Sequence, residues 1–145
     1  WSMAVTVTAS GTPASNAGND DAADTQVILS PPAQGSVFRY FQIRPAAWDA
    51  EMSVEERTRR DAANFEKMGA TGAHDSTSTL AGMHKTDTVD YIILLSGQAT
   101  LILDDGEVDM VPMDVVIQRG TNHAWVNKGD EPAVLAGILI DAEAV

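Results

Sequence analysis

From Thr77 onward the chain is a succession of short segments in which apolar and polar residues alternate, each closed by a turn. That punctuation constrains the fold more than any other feature. Side chains two apart in a strand share a face, so alternation marks a sheet with one buried side. The predicted strands are 77–86, 88–95, 98–104, 107–111, 114–118, 123–127 and 133–140. The breaks carry turn chemistry, at Ser96-Gly97, Asp104-Asp105-Gly106, Pro112-Met113-Asp114, Gly120-Thr121-Asn122 and Lys128-Gly129-Asp130-Glu131-Pro132. Many short strands at regular spacing predict an all-β sandwich or barrel. Helices do not alternate with these strands, which argues against a doubly wound parallel sheet.

Upstream, 36–43 reads as one more strand, ended by Pro45. A single helix follows. Ser53 with Glu56 three residues later is a capping box, and Gly69 closes the segment as a C′ residue. Glu55–Arg59, Glu56–Arg60 and Arg57–Asp61 are spaced to pair along the helix. Ala62, Phe65 and Met68 give it a narrow apolar stripe, so it is expected to lie across the barrel. Residues 4–25 hold no Leu, Ile, aromatic or basic residue, and such a stretch buries too little apolar area to offset its ordering entropy. Residues 1–25 are therefore expected to be a flexible tail, although the alternation in Ala4-Val5-Thr6-Val7-Thr8 leaves room for an edge strand. Order is expected to begin near Thr25–Leu29, and 26–145 to form one domain. Trp1-Ser2 ahead of Met3 reads as an added remnant, with Met3 the natural start.

At 145 residues the chain can bury a core without staples. It has no cysteine, which excludes disulfides, thiolate metal sites and cysteine nucleophiles. With 21 acidic and 9 basic residues the formal net charge is -12, a balance that repels nucleic-acid phosphates and anionic membranes. No apolar run approaches a membrane span, and no basic, apolar secretory leader precedes the first cation, Arg39. The expectation is a cytoplasmic protein that meets neither nucleic acid nor membrane.

The chemistry-bearing residues fall on these strands. His84, Thr86, Thr88 and Asp90 share a face by alternation, as do His123, Trp125 and Asn127; Tyr91 points to the opposite side from Asp90. Imidazoles, hydroxyls and a carboxylate are an unusual lining for a barrel interior and a suitable one for a small-molecule site.

These segments resemble the two motifs of the cupin superfamily of small jelly-roll barrels, across about residues 78–140. The first cupin motif runs from a glycine through His-x-His and Glu to a second glycine. His84, Asp90 and Gly97 keep its spacing, while Ser78 holds the opening glycine slot, Thr86 the second histidine slot and Asp90 the glutamate slot. In the second motif Gly120, His123 and Asn127 match, with Gln118 in the proline slot. The resemblance implies a double-stranded β-helix (jelly-roll) barrel with one N-terminal helix. It also implies a homodimer, for which the apolar faces Tyr91-Ile93-Leu95 and Ile138-Ile140 are candidates.

Two chemistries suit the trio His84, Asp90 and His123. As ligands they would form a facial site for one divalent metal (Fe, Mn, Zn or Ni) and support an oxygenase or hydrolase. As proton carriers they would serve dehydration or isomerisation, the histidines titrating nearest neutral pH and a partly buried aspartate acting as acid. Small cupins that have lost metal ligands include dehydratases and isomerases, which favours the second. A metabolite-binding module without turnover would use the same pocket. His74, in a loop, is a further imidazole. Substrate-orienting candidates are Thr86, Gln118, Arg119, Trp125 and Arg39, with Arg119, in the turn before His123, the best-placed cation for a carboxylate. Thr121 is a candidate for the pocket mouth, and Arg44 for either the site or a surface ion pair. Asn127 has the alternative of tying down a turn.

Overall fold

The computed structural model describes residues 2–9, 29–75, 77–78, 80 and 82–143. Eight strands make two antiparallel sheets. β1 (Ser2–Ala9), β2 (Gly35–Ile43), β8 (Ala133–Asp141), β3 (Thr88–Ser96) and β6 (Val115–Arg119) form the larger one, in the order β1-β2-β8-β3-β6. β5 (Gly106–Met110), β4 (Ala99–Leu103) and β7 (His123–Val126) form the smaller, in the order β5-β4-β7. The all-β architecture with one helix is the expected one. Its closure is non-local: Ser36 on β2 faces Ile140 on β8.

Parity places the inner face. On β3, Thr88, Asp90, Ile92 and Leu94 are buried while Tyr91 and Leu95 are exposed. Along that inner row two polar residues give way to two apolar ones, and the interior divides accordingly. At the apolar end Ile92, Leu94, Ala99, Met110, Ala133 and Leu135 form the main core, with Phe41, Ile43, Val116 and Trp125 packed against it. At the polar end Leu139 packs with Leu29, Phe65 and Ala70. That second cluster is where helix α1 (Val54–Lys67) docks, through Phe65 with Met68 packed beside it, while Ala62, the third residue of the expected stripe, is exposed. Burying Phe65 contributes about 2–3 kcal/mol of hydrophobic stabilisation.

The capping box is present: Glu56 N donates to Ser53 Oγ at 3.2 Å and Ser53 N to Glu56 Oε2 at 2.8 Å. Gly69 follows the helix at φ +64, a left-handed conformation that glycine adopts without a Cβ clash. The pairs expected along the helix do not form. Arg60 instead turns to Asp49 at 2.6 Å and Asp61 at 3.2 Å, because the 3-10 turn Ala46–Asp49 brings a carboxylate shared with Arg44 against the helix flank.

Two further expectations are corrected. The described residues of 77–86 form no strand: β3 begins at Thr88, and among the described residues the preceding segment meets its neighbours at isolated bridges, His74 to His84 and His84 to His123. Within the expected tail, 2–9 is an edge strand, β1, whose backbone pairs with β2. The rest of 1–25, and residues 25–28 where order was expected to begin, lie outside the described residues. No helix among the described residues is long and apolar enough to cross a membrane.

Candidate functional site

His84 and His123 meet because their backbones pair. His84 N donates to His123 O and His123 N to His84 O, both at 2.9 Å, the reciprocal exchange of an antiparallel hydrogen-bonded pair. Directly opposed residues place their side chains on one face, and the two imidazole centroids are 4.1 Å apart. Phe65 from α1 lies over the pair's outer side, 5.0 Å from His84 and 5.1 Å from His74. Trp125 stands edge-on to His123 at 6.3 Å.

The same local device fixes both rings. His84 Nδ1 lies 2.9 Å from Gly82 O, and His123 Nδ1 lies 2.8 Å from Thr121 O. A carbonyl only accepts, so each Nδ1 carries the proton and each neutral ring presents a bare Nε2. Burial and the neighbouring His123 charge hold His84 down at about 3. Burial, with Arg39 acting in the same direction, lowers His123. Both rings are neutral at pH 7.

The second group lies on the inner face of the large sheet. Asp90 on β3 pairs with Gln118 on β6 and with Leu139 on β8, and Arg39 on β2 pairs with Gly137 on β8. Arg39, Asp90 and Gln118 retain only 9%, 4% and 3% of their exposure. The Arg39 guanidinium sits 5.0 Å over the Phe41 ring, and desolvation lowers it to about 10 despite the opposing pull of Asp90. Burial raises Asp90; a hydrogen bond from Thr88 and the charge of Arg39 pull the other way. Thr86 and Thr88 hydroxyls are 2.7 Å apart, so Thr86, Thr88 and Asp90 form a buried relay. Arg39 Nε, Asp90 Oδ1 and both amide atoms of Gln118 are buried without a hydrogen-bond partner among the described residues.

Residues 74–141 match the family described as cupin domain. They are a cupin domain. A 47-residue stretch is 47% identical to phomopsin biosynthesis cluster protein C' of Diaporthe leptostromiformis, covering 32% of this chain and 25% of that protein. A 67-residue stretch is 39% identical to a cupin-domain-containing oxidoreductase, srdD, of Neurospora crassa, covering 43% of this chain and 34% of the relative. The chain thus spans a quarter to a third of the length of these relatives. A solved cupin 2 conserved barrel domain protein from Salinispora arenicola aligns at 17% identity and TM-score 0.47, over 74% of this chain and 64% of that one.

Cupins commonly bind a metal, which requires donors that converge on one point. Thr86, in the second histidine slot, gives its hydroxyl to Thr88. Asp90 takes a hydrogen bond from Thr88 and feels the charge of Arg39. Among the described residues no three His, Asp or Glu side chains converge as a metal site. The two imidazoles supply nitrogen donors, but this cupin's residues do not fit a three-ligand centre.

The other candidates divide cleanly. Gln118 and Arg39 enter the interior. Arg119 does not: it follows Gln118 on β6, so the pleat turns it to the exposed outer face. Arg44 forms a surface ion pair with Asp49. Trp125 packs on the apolar core as well as edging His123. Thr121 is exposed, and serves the cupin site through its carbonyl. Asn127 ties down a turn. Phe65 was read only as helix stripe; its spacing to the cap put it on the buried face, but nothing local placed it on a histidine.

Proposed function

We propose that the interior of this cupin is the active site of a small-molecule enzyme of the dehydratase or isomerase type, acting on a compact polar or aromatic metabolite. The observation that carries the reading is the buried, unpartnered carboxyl oxygen of Asp90, in the same interior as two imidazoles whose tautomers the backbone fixes. Proton transfer next to a carbonyl needs a base, an acid and a donor to the oxygen on which charge develops. His123 takes a carbon-bound proton at Nε2. His84, held neutral down to about 3, accepts a substrate hydrogen bond. Gln118 and Arg39 donate to the carbonyl. Asp90, raised by burial, gives its proton to a departing hydroxyl. In dehydration the C–H pair becomes the new C=C bond, the C–O bond breaks, and water leaves with the Asp90 proton. In isomerisation the same carboxyl protonates a neighbouring carbon.

The Neurospora crassa relative, named an oxidoreductase, supports an enzyme role for such a domain. Because the ligand set does not close around a metal, proton transfer is the chemistry assigned. Asp90→Asn keeps the side-chain shape and removes the proton. Turnover of β-hydroxy carbonyl compounds, followed as absorbance of the conjugated product, is expected to fall by about 10²–10⁴-fold, with ligand affinity kept. Full turnover in that variant would defeat the assignment, and binding without turnover in the unmodified protein would make this a sensing module.

We also infer that two copies pair through the outer face of the large sheet. Tyr91, Leu95, Val115, Ile117 and Ile140 are exposed there, and Tyr91 faces both Ile117 and Ile138 across the strands. A second copy brings the same apolar strip, and salt screens the repulsion between chains of charge -12. Sedimentation is expected to give twice the 15.4 kDa chain mass. Tyr91→Glu with Ile117→Lys is expected to leave monomers; a monomeric parent protein would end this inference.

A further inference from the structure

Arg39 is a cation inside the barrel with no paired anion among the described residues. None of the ion pairs within 4.0 Å among the described residues involves Arg39; those found join Arg44, Arg60 and Lys128 to surface carboxylates. Asp90 acts on it only through space, and its Nε has no hydrogen-bond acceptor. A buried, unpaired charge costs several kcal/mol, and native proteins offset it with a counter-charge. Around it, Gln118 offers a free amide donor and a free carbonyl, and Asp90 a free oxygen. Four unmet polar atoms on three side chains of one inner sheet face are too many to be incidental in a protein interior. Beside Arg39, β8 carries Gly137, whose inward position has no side chain; a Cβ there would stand 3.2 Å from Ile92 Cδ1 and 3.4 Å from Phe41 Cε1.

We propose that this interior binds a small monocarboxylate bearing a hydroxyl, with the carboxylate on Arg39 and the Gln118 amide N–H and the hydroxyl on Asp90 Oδ1 or the Gln118 carbonyl. One cation matches one negative charge. A phosphate dianion would bring two, and no second interior cation faces Arg39: the imidazoles are neutral and every other described Arg or Lys lies outside this row. The planar guanidinium presents parallel N–H groups that a carboxylate meets in a fork. The Phe41 ring lies against the guanidinium, its centroid 5.0 Å from Arg39 Cζ. The proposal deepens the enzymatic reading by naming the substrate class, and it rests on that same interior.

The test is calorimetric titration with propionate, lactate, benzoate and 4-hydroxybenzoate, each against its neutral amide, and with inorganic phosphate. At least one hydroxycarboxylate is expected to bind at least tenfold more tightly than its amide, its deoxy partner and phosphate. Arg39→Met is expected to abolish that preference while the melting temperature holds or rises by a few degrees, since it removes an unpaired buried charge. Arg39→Lys, which keeps the charge without the fork, is expected to lose about tenfold in affinity. Equal binding of acid and amide, tighter binding of phosphate, no binding by any carboxylate, or unchanged affinity in Arg39→Met would each overturn the proposal. Should Arg39→Met fail to fold, loss of the acid preference in Gln118→Leu, or its persistence there, decides the matter. Carboxylate binding without turnover overturns the enzymatic reading alone; turnover of neutral carbonyl compounds without carboxylate binding overturns this one alone.

Discussion

Replacing Asn127 by leucine is expected to destabilise the protein by about 3–5 kcal/mol. The side chain is only 1% exposed. Its Nδ2 donates to Ile43 O at 3.0 Å and Glu131 O at 2.8 Å, and its Oδ1 accepts from Gly129 N at 2.8 Å. Its own carbonyl accepts from Ala46 N at 2.9 Å. One amide therefore joins the end of β2 in the large sheet to the loop that leaves β7 in the small one. Leucine has similar volume but satisfies none of the three side-chain bonds, leaving two part-buried carbonyls and one part-buried N–H without these partners, each costing up to about 1–3 kcal/mol. Equilibrium urea unfolding measures the loss. A change under about 1 kcal/mol would show that water reaches those groups and that the amide is no staple.

Stability is expected to fall as pH drops from about 6.5 toward 4, by about 3–5 kcal/mol, with His84 the main cause. Folded His84 is held at about 3, against an ordinary value near 6.5 in the unfolded chain. Between those values the unfolded state binds the extra proton. Folding is therefore favoured above about 6.5 and progressively lost below it. His123, also lowered, acts in the same direction. Asp90 acts oppositely: its raised carboxyl makes the folded state the proton binder, so its contribution is lost as pH rises above about 4. The lowered carboxyls of Asp49, Glu56, Asp75 and Asp109 lose their contribution only below about 4, outside this window. His84→Gln, which keeps a polar ring-sized group without the titration, is expected to flatten the dependence. Denaturation midpoints at pH 7 and 5 test it; an equal slope in the variant would assign the acid sensitivity elsewhere.

The strand pattern was legible because parity and turn chemistry are local. Six of the seven segments expected after Thr77 appear within a residue or two of their expected bounds. The exception, 77–86, is rich in threonine and serine, which suit a strand but supply no apolar face to hold one down. The edge strand β1 was hidden for the converse reason: backbone pairing with β2 needs little from side chains. On the site, alternation put His84, Thr86, Thr88 and Asp90 on the inside, and the structure agrees. Parity also held an unused signal. Gln118 and Arg119 are consecutive on one strand and face opposite ways, so they cannot share a pocket; the buried Gln118 implied that the interior cation lay elsewhere. That it is Arg39 depends on the pairing of β2 with β8, a register the sequence does not display. Spacing counts residues along a strand, while the placement of Arg39 and Asp90 on one inner face is set across strands.

The β2–β8 pairing also orders events in time. Arg39 finds its neighbours only when residues 133–141, about a hundred positions downstream, have emerged from the ribosome. Until then the guanidinium stays hydrated and the early strand has no partner on that side. Long-range closure of this kind slows folding, so desolvation of the cation is among the last steps of assembly. The charged chamber is thus completed by the final strand, not by the motif residues that lie between.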